Sequence, residues 1–473
     1  MSEVEDGAGD GKVNLAFVAM IVIVATIGGF MFGYDSGVIN GTQDGLESTF
    51  GLSALGTGLN VGAILLGCAV GAFVAGRLAD VIGRRTVMMI GAGLFVISAL
   101  GAGAAGSSLV FIIARFVGGV GVGAASVLAP VYISEVTPAA IRGRLASLQQ
   151  IMIITGLTGA FVANYVLAKN AGSSTDPLWL DLPAWRWMFW MQVIPAVIYL
   201  VALMMIPESP RFLVARGRDA EALTILTRIF GAARAATMVS EIRATLAADH
   251  HRPKFSDLKD PATGRLRKLV WAGIGIAIFQ QLVGINIVFY YGAVLWQSVG
   301  FSESDALLIN ILSGSLSILA CLVTVALIDK LGRKPLLLVG SAGMAVTLAT
   351  MAACFASGTF VDGHLTLSDD VGVIALIAAN AYVVFFNVSW GPVMWVMLGE
   401  MFPNQIRGSA LAVSGFAQWI ANFGISVSFP AMAAGLGLPI TYGFYALSAF
   451  LSFFFVRAMV QETRGRTLEE MAG

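Results

Sequence analysis

The sequence predicts an all-α membrane protein of twelve transmembrane helices, arranged as two parallel six-helix repeats. Of its 473 residues, 57% are hydrophobic and only 12% are charged, whereas a soluble protein carries roughly 25% charged residues. Two motifs occur twice, about half a chain length apart: E-x-x-P-x-x-I-R-G at 135–143 and 400–408, and D-x-x-G-R-[R/K] at 80–85 and 329–334. Such internal similarity indicates a duplicated fold.

Twelve apolar stretches are long enough to cross a bilayer, which takes about 20 residues as a helix. Their length and their content of Gly, Ala, Leu and Ile favour helices, and no strand is predicted. We place them near 15–36, 56–76, 86–106, 109–132, 145–168, 186–206, 269–296, 305–328, 335–357, 371–398, 409–434 and 438–459.

The distribution of charge predicts the orientation. Four of the 28 Lys and Arg residues lie in the N-terminal tail, within a span or beside the fifth connection: Lys12, Arg115, Lys169 and Arg186. All the others fall on the even-numbered connections or at the C-terminus, which the positive-inside rule makes cytoplasmic. The odd-numbered connections carry mostly acids. Both termini are therefore expected on the cytoplasmic side of the cell (inner) membrane.

The repeated motifs fix the number of spans in each half. Every copy falls on a connection that is predicted to be cytoplasmic, so each repeat contains an even number of spans, and six plus six fits. The expected organisation is an N-terminal tail, a six-helix bundle, a cytoplasmic linker with short helices (Asp219 to Phe230 and Ala235 to Ala248), a second six-helix bundle and a C-terminal tail, over 1–14, 15–206, 207–268, 269–459 and 460–473.

Several classes of function are disfavoured. The net charge is zero, which gives no reason to expect nucleic acid as a partner. Cys68, Cys321 and Cys354 all fall within spans, which argues against a disulfide framework. No Cys/His cluster has the spacing of a metal site, so neither metal nor cofactor is predicted. The first residues lack the basic segment of a signal peptide. The linker is too short and fragmented for an enzymatic domain.

Six further motifs, in their order and spacing, resemble the sugar porters of the major facilitator superfamily, which include bacterial proton–sugar symporters and animal glucose facilitators. The similarity extends over about 28–469. The motifs are G-Y-D at 33–35, G-R-x-x-D-x-x-G-R-R at 76–85, P-x-Y-x-x-E at 130–135, P-E-S-P-R at 207–211, Q-Q-x-x-G-I-N-x-x-x-Y-Y at 280–291 and G-P-V-M-W at 391–395. The resemblance implies the major facilitator fold.

The chain departs from this family at three positions. Gln461 stands where a proline usually precedes Glu-Thr after the last span, and Ser317 replaces an asparagine common in the eighth span. Leu157 stands where some xylose carriers have glutamine. The last two positions fall at the sugar site that the resemblance implies, so they bear on which sugar is carried.

A site for an uncharged, hydroxyl-rich sugar needs amides, which both donate and accept, and a flat apolar ring. Mid-span residues of these types could supply it, although amides could equally join helices and tryptophans could pack a core. Gln280, Gln281 and Asn286 could face one cavity only if the seventh helix is distorted, which Gly284 would ease. The resemblance implies sugar contacts at Phe32, Gln150, Gln280, Gln281, Asn286, Ser317, Gly391, Trp395, Gln418 and Trp419.

Asp35 and Arg115 are the ionisable residues predicted within the membrane. Burial disfavours a charged carboxylate and a nearby guanidinium favours it. An aspartate held between these effects could take up a proton and release it when the arginine approaches. A permanent salt bridge, or an Asp35 at the water interface, would be the alternatives. The resemblance implies that the two residues are the proton-coupling pair.

The duplicated charges at the cytoplasmic ends could pair as carboxylate and guanidinium groups. We predict that they latch the two halves together when the cavity faces outward and separate when it faces inward. The alternative is that these charges only set the orientation of the spans in the membrane, but orientation requires only the basic residues. The predicted latch comprises Arg84, Arg85, Glu135, Arg142, Glu208, Arg333, Glu400, Arg407 and Glu462.

The resulting prediction is a monomeric, non-enzymatic symporter in the lipid bilayer that imports a glucose-type monosaccharide with a proton by alternating access. An uncoupled facilitator would keep the sugar amides but make no use of Asp35. A symporter that prefers xylose or galactose is a further alternative. A sugar sensor would normally carry a long signalling tail, and a membrane enzyme would need a second catalytic group near Asp35.

Overall fold

The structure, a computed structural model, describes residues 13–138, 142–248, 255–260, 264–361, 364–403 and 406–464. Within these residues, twelve helical segments are long and apolar enough to cross a membrane, which confirms the predicted number of spans. Their ends differ from the predicted ones by a few residues, because the helices continue past the apolar stretches into polar ends.

The described part of the chain forms nineteen α-helices, and three of the spans consist of two α-helices each. In order they are α1 Leu15–Val38, α2 Gln43–Phe50, α3 Ala54–Ile82, α4 Arg84–Ala104, α5 Ser108–Val136, α6 Arg142–Ala171, α7 Ala184–Met191, α8 Val193–Met205, α9 Pro210–Ala215, α10 Asp219–Phe230, α11 Ala232–Ala248, α12 Lys268–Leu282, α13 Ile285–Ser298, α14 Glu303–Leu331, α15 Arg333–Ala356, α16 Asp369–Val388, α17 Trp390–Glu400, α18 Arg407–Gly435 and α19 Leu438–Met459.

Because the spans alternate in direction, the linker of α9–α11 lies on the same side as both ends of the chain. We call this the linker side and the other the opposite side. Serines begin three spans at the opposite side: the side chains of Ser53, Ser107 and Ser302 each accept from the backbone N–H three residues on, which satisfies one of the free donors of a helix start.

Three spans are broken near their centres. The sixth changes from α7 to α8 at Gln192, the seventh from α12 to α13 at Gly284, and the tenth from α16 to α17 at Ser389. Ser389 has φ −130° and ψ −91°, outside the helical region. Broken helices free backbone groups at membrane depth, and in transporters they are typical of binding sites.

Close helix packing at glycines holds each half together and joins the two. A Cβ on Gly119 would lie 2.0 Å from the backbone oxygen of Ile64, so α3 and α5 could not approach this closely with any larger residue. The same holds between the halves, where a Cβ on Gly58 of α3 would lie 2.3 Å from the backbone oxygen of Val427 on α18. Small residues permit such contacts in membranes.

One element contradicts the prediction that the chain has no strands. Thr359–Val361 and His364–Thr366 pair antiparallel between the ninth and tenth spans. Both segments contain β-branched or aromatic residues, which favour strands. They were missed because segments of three residues are too short to be detected in a search for apolar spans. The linker helices were predicted closely: α10 has the predicted bounds, and α11 begins three residues before its predicted start.

Candidate functional site

A chain of amide side chains lies at the break in the seventh span. Gly284 has φ +81°, and a Cβ there would meet the ring of Tyr445 at 2.8 Å. The break brings Asn286 back towards α12, where its Nδ2 donates to Oε1 of Gln281 over 2.7 Å. Nε2 of Gln281 donates to Oε1 of Gln280 over 3.0 Å. The seventh helix is thus distorted at Gly284, which meets the condition for the three amides to face one cavity, and hydrogen bonds join their side chains.

Gln418 of α18 extends this chain into what we call the amide cluster: Gln280, Gln281, Asn286 and Gln418. Its Nε2 donates to Oε1 of Gln280 over 3.2 Å. Nε2 of Gln280 in turn donates to the carbonyl oxygens of Trp390 and Gly391, at 3.2 and 3.5 Å. Oε1 of Gln418 is buried and accepts no hydrogen bond from the described residues. A buried acceptor without a partner suits a ligand hydroxyl.

Aromatic residues lie beside the amide cluster. The ring of Phe32 on α1 packs 5.7 Å from that of Trp419, which follows Gln418. Trp419 is buried, so this contact brings the N-terminal half to the cluster. Trp395 differs from the other predicted residues, because it is 42% exposed and lies one turn beyond Gly391 on α17. Its contact with a sugar stays a prediction.

Ser317 has an amide neighbour that the sequence did not predict. Nδ2 of Asn387, near the end of α16, donates to Oγ of Ser317 over 3.1 Å, and both residues are buried. A Cβ on Gly391 would lie 3.5 Å from Oδ1 of Asn387. Asn387, on a neighbouring helix, therefore places an amide beside Ser317, where the family usually has an asparagine.

On α6, the predicted residue Gln150 is half-buried, whereas its neighbour Gln149 is buried. Neither polar atom of the Gln149 side chain has a partner among the described residues. Gln149 packs on α1, where a Cβ on Gly29 would lie 2.8 Å from its Nε2. Leu157, further along α6, is also buried against α1. The role of Gln150 stays a prediction.

Asp35 and Arg115 form a buried ion pair, as the sequence allowed. Nη1 of Arg115 donates to Oδ1 of Asp35 over 2.5 Å, and Nη2 donates to the Asp35 backbone oxygen over 2.9 Å. Their side chains are 0% and 1% exposed, which excludes an Asp35 at the water interface. The Arg115 guanidinium also lies 5.5 Å from the Phe189 ring centroid, a cation–π contact.

Sequence reasoning missed a third member of this group. Nε2 of Gln192, at the break between α7 and α8, donates to Oδ1 of Asp35 over 2.9 Å. Oδ2 of Asp35 is buried and accepts no hydrogen bond from the described residues. A Cβ on Gly118 would lie 3.4 Å from Oδ2 and 2.3 Å from Oγ of Ser98. The sequence carries no signal for this contact, because Gln192 meets Asp35 only when the first and sixth spans pack together.

At the linker side of the N-terminal half, the duplicated motifs form one charged cluster. Gly83 ends α3 with φ +102°, a backbone conformation that favours glycine. Next to it, Nε and Nη2 of Arg84 donate to the two carboxylate oxygens of Glu135 over 3.2 and 3.3 Å. Oγ of Ser209 donates to Oε2 of Glu135 over 2.5 Å. Glu208 accepts from the backbone N–H of Arg85 over 3.0 Å.

The C-terminal half repeats this arrangement. Nε and Nη2 of Arg333 donate to both carboxylate oxygens of Glu400, over 3.0 and 2.8 Å. Oγ1 of Thr463 takes the place of Ser209 and donates to Glu400 over 2.6 Å. Glu462 takes the place of Glu208 and accepts from the backbone N–H of Arg333 and Lys334. Glu462 and Thr463 therefore occupy the same positions in this half as Glu208 and Ser209 do in the other.

The pKa of the Glu462 carboxyl reflects these bonds. Burial acts to raise its pKa, but the backbone N–H groups of Arg464, Arg333 and Lys334 outweigh burial and hold the pKa below its ordinary value. A carboxyl with a lowered pKa contributes stability at neutral pH, and this contribution is lost as the pH falls through the lowered value.

These charged pairs all form inside one half. The Arg84–Glu135 pair belongs to the N-terminal half and the Arg333–Glu400 pair to the C-terminal half. Nε of Arg407 donates to the Phe402 backbone oxygen over 3.3 Å, and the side chain of Arg142 lies outside the described residues. The predicted role of these residues in holding the halves together stays a prediction.

At the opposite side, hydrogen bonds do cross between the halves. Asn40 is buried, and its Nδ2 donates to the Phe289 oxygen over 2.8 Å. Its Oδ1 accepts from the backbone N–H of Ala293 and from Nδ2 of Asn310, at 2.9 and 2.8 Å. Nε2 of Gln297 donates to Asp44 over 3.0 Å. The structure is therefore closed at the opposite side.

Comparison with known proteins agrees with this architecture. Residues 21–473 match the family model described as "Sugar (and other) transporter". A glucose transport protein of Synechocystis is 49% identical, with 97% of each chain covered. The D-xylose-proton symporter of Escherichia coli is 37% identical over 97% of this chain and 96% of its own. The inward open conformation of the E. coli xylose transporter XylE superposes with a TM-score of 0.81 at 35% identity, covering 96% and 99% of the two chains.

The twelve-span fold and these similarities define a membrane transporter of the major facilitator type. The chain belongs to the sugar transporter family. This family membership confirms the resemblance predicted from the motifs, and members of this family are transporters.

Proposed function

We propose that this protein is a symporter that imports a glucose-type hexose together with a proton. Two buried features, one in each six-helix bundle, support this proposal. The amide cluster offers donors, acceptors and the unused Oε1 of Gln418 for a sugar, beside the rings of Phe32 and Trp419. The Asp35–Arg115 pair offers a carboxylate that can exchange a proton with water. A glucose transport protein and a xylose-proton symporter are among the relatives.

The charge distribution gives the direction. The linker side carries nearly all of the basic residues, so we place it in the cytoplasm of a cell with both termini inside. The hydrogen bonds of Asn40 then close the extracellular side, and the structure is inward-facing. The similarity to an inward open structure supports this assignment. We propose one chain as the working unit, since both sites lie within it.

The transport cycle follows from the two sites. In the outward-facing state, a proton from outside binds Asp35 and weakens its attraction to Arg115. The sugar replaces its water shell with the amide cluster, and Phe32 and Trp419 cover its C–H face. The halves then close at the extracellular side through Asn40. The sugar and the proton leave on the cytoplasmic side, and Arg115 pairs again with the charged Asp35.

Uptake of labelled sugar into proteoliposomes tests the proposal. With an imposed inward proton gradient, glucose should accumulate above its external concentration, and collapsing the gradient should return it to equilibrium. Equilibration without accumulation would identify an uncoupled facilitator. A panel of hexoses and pentoses that are not taken up at all would contradict sugar transport by this site.

A further inference from the structure

The site around Asp35 contains more unpaired polar atoms than a settled ion pair should. Oδ2 of Asp35, Nε of Arg115 and Oε1 of Gln192 are all buried, and none has a hydrogen-bond partner among the described residues. Buried polar atoms in folded proteins are nearly always paired. One oxygen of the charged carboxylate is therefore left without a hydrogen bond from the described residues, and Oε1 of Gln192 is an acceptor that no described residue uses.

The chemistry of the two partners explains that acceptor. Arg115 has only donors, so it can donate to a carboxylate or to the carbonyl oxygen of a protonated carboxyl, but it cannot accept from the O–H of a protonated one. A protonated Asp35 carries an O–H, which needs an acceptor when it is buried. Gln192 is 0% exposed and lies 2.9 Å from Asp35 through Nε2. Half a turn about its last side-chain torsion would exchange Nε2 for Oε1.

We propose that Gln192 is a positioning residue of the proton site: it donates from Nε2 to the charged Asp35 and, with its amide reversed, accepts through Oε1 from the protonated Asp35. The inference rests on the proposed proton coupling. On loading, a proton from external water forms an O–H bond on Asp35, which then donates to Oε1. On release, that bond breaks, the proton passes to cytoplasmic water, and Nε2 and Arg115 donate again to the carboxylate.

Four ionisable side chains, on four different helices, lie at or near this site. The charged groups are Asp35 on α1 and Arg115 on α5. Cys68 on α3 lies within electrostatic reach of both, and Tyr290 on α13 lies within reach of Arg115. Thiols and phenols ordinarily lose their protons near pH 8.5 and 10, so uptake of the variants is compared from pH 5 to 7.5, below both values.

The decisive variant is Gln192→Glu, because glutamate has the size and shape of glutamine. It places a second carboxyl beside Asp35, so the two groups must share a proton. We expect the pH of half-maximal proton-driven uptake to rise by about one unit or more. A residue that only fills space would leave the pH profile unchanged, and an unchanged profile would overturn the proposal.

Asn60→Asp is the matched control. Asn60 is a buried amide of the same half, and its side chain bonds the Gly56 backbone and Ser108. Asn60→Asp should leave the pH profile of uptake unchanged. An equal shift in this variant would show that any buried acid suffices and would overturn the proposal.

A second test is Gln192→Met, which removes both the donor and the acceptor of the side chain. Driven uptake should fall several-fold while sugar exchange continues, and unchanged driven uptake would count equally against the role.

Asp35→Asn separates this inference from the proposed function. If that variant still accumulates sugar, the proton coupling itself is wrong. If it abolishes accumulation and Gln192→Glu keeps the original pH profile, only the role of Gln192 is wrong.

Discussion

The two halves of the molecule bury different chemistry at their centres. In the N-terminal half the central group is ionic, with Asp35 and Arg115 within 2.5 Å and Gln192 beside them. In the C-terminal half it is a cluster of neutral amides around Gln280. A charged pair can respond to a proton but is a poor match for a neutral sugar, whereas amides bind hydroxyls at any pH. Under the proposed function, the duplicated bundle divides proton coupling and sugar binding between its halves.

At their linker-side edges the same halves are nearly identical. Each has an arginine bonded to both oxygens of a glutamate, and a hydroxyl that completes the glutamate's shell. They differ in exposure: the Glu135 side chain is 9% exposed and that of Glu400 is 35% exposed. The similar charged clusters at the linker side are consistent with a motion that both halves share. The different buried groups at the centres of the halves are consistent with different ligands.

The largest expected effect breaks the N-terminal centre alone. Asp35→Asn keeps the shape of the side chain but removes its proton chemistry, so gradient-driven accumulation of sugar should be abolished. Sugar binding and exchange should persist, because the amide cluster is untouched. The measurement is uptake with an imposed gradient beside counterflow without one. The exposed Asp370→Asn serves as the control, and a variant that still concentrates sugar would refute coupling at Asp35.

The complementary change breaks the C-terminal centre. Gln280 bonds Gln281, Gln418 and two backbone carbonyls, so Gln280→Leu leaves several buried groups unpaired. Each such loss costs about 1–3 kcal/mol, or roughly 5- to 150-fold in affinity. Sugar affinity measured by tryptophan fluorescence or calorimetry should fall by that factor. Asn60→Leu, at a buried amide of the N-terminal half that bonds the Gly56 backbone and Ser108, should bind sugar normally, and equal losses in both variants would contradict a specific site.

The shared edges predict a smaller, graded effect. Among the described residues, Glu135 and Glu400 each pair with an arginine of their own half, and we predict that pairing across the halves forms in the outward-facing conformation. Glu135→Gln and Glu400→Gln should therefore favour the inward-facing form. A lost charge-assisted bond of about 1.5 kcal/mol changes the population about tenfold. The effect should be smaller at Glu400, where exposure screens the charge.

Electron–electron double resonance distances across the linker side would measure this shift in spin-labelled protein. Unchanged distances in both variants would show that these pairs only stabilise each half internally.

Much of the amide site could be predicted because it depends on residues close together in sequence. The spacing of Gln280, Gln281 and Asn286 around Gly284 required a local distortion, and the helix break provides it. Gln192 and Asn387 were missed because each reaches its partner only when helices distant in sequence pack together. The closure through Asn40 was missed for the same reason, since it depends on how one half docks on the other.

The finest test of the amide centre is the choice of sugar. A hexose has one hydroxymethyl group more than a pentose, and one additional hydrogen bond is worth about 0.5–1.5 kcal/mol, or roughly two- to tenfold. Glucose should therefore compete better than xylose against labelled glucose uptake.

Leu157, buried against α1, stands where some xylose carriers have glutamine. Leu157→Gln should therefore reduce the advantage of glucose over xylose in this competition, and Ile154→Gln should not. The small Ser317, bonded to Asn387, leaves room for galactose to compete nearly as well as glucose. Xylose competing better than glucose in the unmodified protein would show that the amide centre is shaped for a pentose.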